Sequence, residues 1–206
     1  MRVIALLLFM GAALALAADR AAVITAPGFY PADAARGKKL ATQCLACHGA
    51  EGMRFGNPLF HVPYITGQRP EVIFAALHDY KHGLRSSEIM EPIVAPLTLQ
   101  DMRDLGAYLA GNGPVLPGVH DQGSWAHEKV HRDCTSCHGE SGMGVMPGIP
   151  VLTGQHEDYL AYALLAYSDG RRKDPTMRPI AARLEPEEIR RLAEYFSKQK
   201  HLEISQ

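Results

Sequence analysis

The 206 residues are 47% hydrophobic and 21% charged, a globular balance that rules out a disordered or collagen-like chain. They make one domain or two of about 100 residues each, and a net charge of −1 argues against nucleic acid as a partner. Aromatic residues are only 7%, so the core needs close aliphatic packing or a buried cofactor.

Residues 1–17 read as a signal peptide. Met1-Arg2 supplies a positive start, Val3 to Leu16 is almost unbroken apolar sequence, and Ala15-Leu16-Ala17 forms a small-x-small cleavage site. The apolar run falls short of the roughly 20 residues of a spanning helix. The expectation is cleavage after Ala17 and export to the periplasm. A first helix is expected from about Asp33, its N-cap, into Cys44. A second follows Gln68: Val72, Ala76, Leu77 and Tyr80 recur at helical spacing and stop before Gly83. A third starts at Thr98, with Asp101 in a capping-box pattern and a stripe of Met102, Leu105 and Leu109. A run of breakers beginning Gly111-Asn112-Gly113-Pro114 reads as a linker over about 111–124. The order then recurs. One helix runs from about Ser124 into Cys134. Another follows Gln155, with Tyr159, Ala163, Leu164 and Tyr167 ahead of Gly170. The last has Pro186 in its first turn and a stripe of Ile189, Leu192, Ala193 and Phe196. No alternating strand pattern stands out, so the fold class is all-α.

Export normally favours disulfides. The four cysteines, however, all fall in Cys44-Leu45-Ala46-Cys47-His48 and Cys134-Thr135-Ser136-Cys137-His138. Cys-x-x-Cys-His is the attachment signature of haem c. Each cysteine pair forms thioethers to one haem, which holds the adjacent histidine under the iron as proximal ligand. Zinc-type cysteine pairs lie much closer together than these, which start 90 residues apart. A thioredoxin-like motif needs one Cys-x-x-Cys in a β-α-β setting, and none is visible. Two covalently bound haem c groups are expected, attached through Cys44, Cys47, Cys134 and Cys137, with His48 and His138 on the irons.

The motifs sit inside a duplication. At an offset of 90, Cys44, Cys47, His48, Gly49, Gly52 and Met53 match Cys134, Cys137, His138, Gly139, Gly142 and Met143. Beyond them the offset is 87, so the first half carries three extra residues after its motif. Pro63, Gly67, Gln68, Tyr80, Arg85, Met90 and Pro92 then match Pro150, Gly154, Gln155, Tyr167, Arg172, Met177 and Pro179. Two copies are too few for a solenoid and fit two tandem domains, 18–112 and 113–206. Each is small for a core of its own. A buried haem supplies the missing apolar volume, and the haem-free chain is expected to be largely unfolded.

Equivalent halves should use equivalent ligands on the other face of each iron. Met53 and Met143 follow their histidines by only five residues, too soon to round the ring edge. Met90 and Met177 lie 42 and 39 residues on, beyond a helix. They are the expected distal ligands, and the x-Pro after each favours an extended approach. Thioether sulfur on a saturated iron raises the potential and suits electron transfer.

Two Cys-x-x-Cys-His halves, each with Gly-Gln before a helix, Tyr-x-x-Gly-x-Arg at its end and a methionine downstream, resemble the dihaem cytochrome c4 family over nearly all of the mature chain. The resemblance implies two class I cytochrome c domains packed about a pseudo-twofold axis, in a periplasmic protein that is free or membrane-associated. It implies electron transfer from a cytochrome bc complex or other donor to a terminal oxidase. It also suggests that the carbonyls of Pro63 and Pro150 orient the proximal histidines. Arg85 and Arg172 would pair with haem propionates or cross the domain interface, and Tyr80 and Tyr167 would pack against a haem. Two other functions compete with the carrier. One is a dihaem subunit of an oxidoreductase such as flavocytochrome c sulfide dehydrogenase, taking electrons from a flavoprotein subunit. The other is a dihaem peroxidase, which needs unlike halves and is disfavoured by the matched Met90 and Met177.

Overall fold

The fold was obtained as a computed structural model, which describes residues 31–49, 52–56, 59–111 and 129–199. The signal segment, the linker beyond Gly111 and the expected helix start near Ser124 lie outside the described residues. By its contacts the chain divides after Pro31, and Ala32–Gln206 forms one unit. Within it the order is α1 (Ala34–His48), β1 (Arg54–Phe55), β2 (Phe60–His61), α2 (Pro70–Lys81), α3 (Met90–Val94), α4 (Leu99–Gly111), α5 (Lys129–His138), α6 (Glu157–Ser168), α7 (Met177–Ala181) and α8 (Pro186–Lys198).

Local chemistry sets these boundaries. Asp33 caps α1, its Oδ1 accepting from the N–H groups of Ala35 and Arg36 at 2.9 and 3.0 Å. Thr98 and Asp101 cap α4 reciprocally: Thr98 N–H donates to Asp101 Oδ2 at 2.8 Å, and Asp101 N–H to Thr98 Oγ1 at 3.1 Å. Glu185 and Glu188 form the corresponding box at α8, with Pro186 in its first turn. In the first half α4 packs on both α1 and α2, burying Ala41, Ile73, Leu105 and Leu109. Gly37 lies where α1 crosses α4, and a Cβ there would strike the Asp104 carbonyl. Arg36 is ion-paired to both Asp101 and Asp104 across the same crossing. In the second half α6 packs on α8 around Leu160, Leu192, Ala193, Tyr195 and Phe196.

Two features differ from the sequence expectation. The first half's loop, lengthened by its three extra residues, carries a small antiparallel hairpin, with Arg54 opposite His61 and Phe55 opposite Phe60. The strands are too short for alternation to show. Met90 and Met177 were expected on extended chain, yet each is the first residue of a five-residue helix. Pro92 and Pro179 are third residues in those helices, where no intrahelical partner waits for an N–H, so proline is tolerated.

The halves meet about a pseudo-twofold axis. Arg85 and Arg172 form an antiparallel bridge. Ser86 N–H donates to the Arg171 carbonyl at 2.9 Å, and Lys173 N–H to the Leu84 carbonyl at 2.8 Å. Each of these bonds is the other's image at the repeat offset.

Candidate functional site

Helices α1 and α5 each end on the histidine of a Cys-x-x-Cys-His motif. One helical turn separates the two cysteines of a motif, so both lie on one face. All four thiols are unpaired. Burial pushes the Cys44 thiol up. Burial first, with nearby Asp133 second, takes Cys134 to about 11. That is the reverse of the depressed thiol of a disulfide-exchange motif.

His48 Nδ1 lies 2.7 Å from the Pro63 carbonyl oxygen, and His138 Nδ1 lies 3.3 Å from that of Pro150. A carbonyl only accepts, so Nδ1 carries the proton in both rings. Burial lowers both imidazole pKa values and outweighs the opposing carbonyl bonds, which favours the neutral ring that a metal requires. Among the described residues Nε2 of each ring has no hydrogen-bond partner.

Met90 and Met177 are half-buried. Their N–H groups donate to Ser87 Oγ at 3.2 Å and to Asp174 Oδ1 at 2.8 Å, equivalent positions in the two halves. The backbone carbonyls of Met53 and Met143 are held in different ways in the two halves. The Met53 carbonyl accepts from Val62 N–H at 2.8 Å, and the Met143 carbonyl accepts from Arg69 Nη2 at 3.0 Å.

Arg85 crosses the boundary between the halves and meets Arg172 on one phenol of the second half. Their Nη2 groups donate to Tyr159 Oη at 2.8 and 3.0 Å. Burial would raise that phenol, but the two guanidiniums outweigh it and pull it down to about 8. Tyr80 lies under Arg85, with the guanidinium 4.8 Å from its ring centroid, and Tyr167 lies 5.3 Å from that of Arg172. Neither arginine meets a carboxylate among the described residues, and the buried Arg85 Nε has no partner.

Other residues at the junction have no role in the motif pattern. Gln68 and Gln155 each grip the backbone of the opposite half. Gln68 Nε2 donates to the Val151 carbonyl at 3.0 Å, and Val151 N–H donates back to Gln68 Oε1 at 2.9 Å. Gln155 does the same with Tyr64, at 2.9 and 3.1 Å. Their one sequence signal is recurrence in the repeated Gly-Gln. The hairpin adds contacts that have no symmetric image: Phe60 stacks on Tyr162 at 4.0 Å between centroids, and His61 Nδ1 lies 2.8 Å from Asp158 Oδ2.

This donor set fits covalent haem. Each half offers two unbridged thiols beside a neutral imidazole whose Nε2 is free. Arg85, whose buried Nε has no partner, and Arg172, which meets no carboxylate among the described residues, suit the carboxylates that a haem carries. A cavity of about 450 Å³ between α6 and α8 is lined by Ala161, Leu165 and Ile189 and by none of the motif residues. In the first half the positions of Ala161 and Ile189 hold buried Phe74 and Met102. No helix among the described residues is long and apolar enough to cross a membrane.

Comparison with known proteins agrees with this geometry. The family model for cytochrome c matches residues 34–112 and 127–200. The chain is 33% identical to cytochrome c4 of Pseudomonas aeruginosa over 80% of its own length and 87% of that protein. It is 34% identical to a thiosulfate dehydrogenase electron acceptor of Stutzerimonas stutzeri, over 81% and 87% of the two chains. The crystal structure of reduced recombinant cytochrome c4 from Pseudomonas stutzeri superposes with a TM-score of 0.66 at 28% identity, covering 82% of this chain and all of that one.

Proposed function

Because the chain belongs to the cytochrome c4 family of dihaem electron carriers, we propose that it is a periplasmic shuttle whose two haems are held by matched residues in its two halves. The chain carries two covalently bound haem c groups and acts as an electron carrier rather than an enzyme. Each haem supplies a one-electron ferric/ferrous couple. Cys44 and Cys47 hold one haem and Cys134 and Cys137 the other. His48 and His138 present Nε2 to the irons, and their Nδ1 protons are kept by the carbonyls of Pro63 and Pro150. Met90 and Met177 would be the second protein ligands of the irons; a thioether there would exclude small molecules and raise the potential. Arg85 and Arg172 hold propionates at the junction between the halves, and Tyr80 and Tyr167 support those arginines by stacking. The domains run over 18–112 and 113–206. The observation that carries this reading is the same free-Nε2 histidine, bound through Nδ1 to a proline carbonyl, in both halves.

The donor is a cytochrome bc complex or another periplasmic oxidoreductase, and the acceptor is a terminal oxidase. Similarity to a thiosulfate dehydrogenase electron acceptor favours a thiosulfate-oxidising enzyme over a sulfide-oxidising flavoprotein subunit as the alternative donor. An optical redox titration of protein matured in a periplasm tests the ligand set. Two low-spin haems at positive potential, both with the red Met–Fe(III) charge-transfer band, are expected. A high-spin haem, or one lacking that band, removes Met90 or Met177 from the iron. Reduction by thiosulfate in the presence of a thiosulfate dehydrogenase distinguishes the donors.

A further inference from the structure

The Pro63–Tyr64 peptide serves two hydrogen bonds at once. Its carbonyl accepts from His48 Nδ1 at 2.7 Å. Its N–H, on Tyr64, donates to Gln155 Oε1 of the other half at 3.1 Å. The Pro150–Val151 peptide repeats the arrangement, with His138 at 3.3 Å on the carbonyl and Gln68 Oε1 at 2.9 Å from the N–H. The glutamines are not loose. Oε1 of each also accepts the N–H of the next residue, Arg69 or His156, at 3.0 and 3.1 Å. Nε2 closes a second bond to the same opposing residue, and Gln155 is buried.

We infer that Gln68 and Gln155 are positioning residues that tune the haems crosswise, each acting from its own half on the axial histidine of the other. An N–H that donates to a good acceptor makes the carbonyl of the same peptide a stronger acceptor in turn. Gln155 thereby strengthens the hold of Pro63 on the His48 proton, and Gln68 does so for Pro150 and His138. A histidine whose Nδ1 proton is more strongly held is a more basic ligand and favours ferric iron. Removing a glutamine therefore raises the potential of the haem in the opposite half. The inference rests on His48 and His138 being the axial ligands.

The test uses full-length holoprotein carrying Gln155→Leu or Gln68→Leu. Two readouts are taken: the ¹⁵N–H signals of the histidine Nδ1 groups in the ferrous state, and the potential of each haem. The haems are told apart by the paramagnetically shifted signals of their own axial methionines. Q155L is expected to move the His48 signal and shift the ferrous-to-ferric ratio of the first-half haem by about threefold at fixed potential, leaving the second-half haem in place. Q68L is expected to do the converse. Q155E, which keeps an acceptor for Tyr64 N–H, is expected to restore the His48 signal. A shift confined to the variant's own half, or equal shifts at both haems, overturns the relay and leaves only an interface contact. No shift at either haem also overturns it. If the unsubstituted protein itself lacks a Met–Fe band or a coordinated His48 or His138 signal, the ligand assignment fails instead.

Discussion

Met90 and Met177 each start a helix because a side-chain oxygen three residues back, from Ser87 or Asp174, accepts the methionine N–H. The two side chains thus leave from equivalent backbone positions, although one acceptor is a hydroxyl and the other a carboxylate. Met90→Leu is expected to remove the red charge-transfer band from one haem, lower that haem's potential and let carbon monoxide bind there alone. Met177→Leu is expected to do the same at the other haem, and spectroelectrochemistry with each variant checks both. Asp104 is a structural counterpart: almost fully buried, it accepts from Asp33 N–H and Gln100 and pairs with Arg36. Burial would raise its carboxyl, but those partners outweigh burial and hold it below the usual aspartate range. Asp101 is held down in the same direction by Thr98 and Arg36. A depressed folded pKa stabilises fully above the ordinary aspartate value of about 4 and is lost as pH falls through the lower folded value. Asp104→Ala is expected to cost about 1–3 kcal/mol by leaving the Asp33 N–H unmet. It should also flatten that acid limb, as urea unfolding at neutral and acid pH would show.

At the scale of elements, the crossing of α1 over α4 depends on Gly37, since any side chain there meets the Asp104 carbonyl. Gly37→Ala is expected to destabilise the first half by about 1–3 kcal/mol through overpacking, which thermal unfolding followed at that haem would register. Gly106 stands close to α2 in the same way, with a Cβ there 2.8 Å from the Pro70 carbonyl oxygen. The long helices were readable because caps, breakers and apolar stripes agreed: Asp33, Thr98 with Asp101, and Pro186 stand at the starts they imply. The five-residue helices α3 and α7 were not readable. They have too few residues for a period, and the proline in each points away from helix until its position in the first turn is known.

At the scale of the molecule, two near-copies are locked by symmetric bonds about the Arg85–Arg172 bridge and by the hairpin that, among the described residues, only the first half has. Phe60→Ala deletes the stack on Tyr162 without touching the glutamine pairs. It is expected to split a single unfolding transition of the holoprotein into two, one per half, as calorimetry would detect. Retention of one transition would mean that the symmetric bonds suffice to couple the halves.

The covalent chemistry and the duplication are written along the chain. Attachment motifs, capping residues and repeat offsets are local or periodic features, legible one position at a time. The Met pairs were narrowed by the same logic, because equivalent halves call for equivalent residues. Folding in three dimensions sets what the repeated Gln68 and Gln155 touch and brings Arg85 and Arg172 together on Tyr159. It also turns the loop that three extra residues lengthen into a hairpin that sets His61 against Asp158. Apart from Arg172 on Tyr159, those contacts join residues 70 to 100 positions apart, across a junction whose geometry comes from packing two folded halves together, and no local pattern along the chain encodes it.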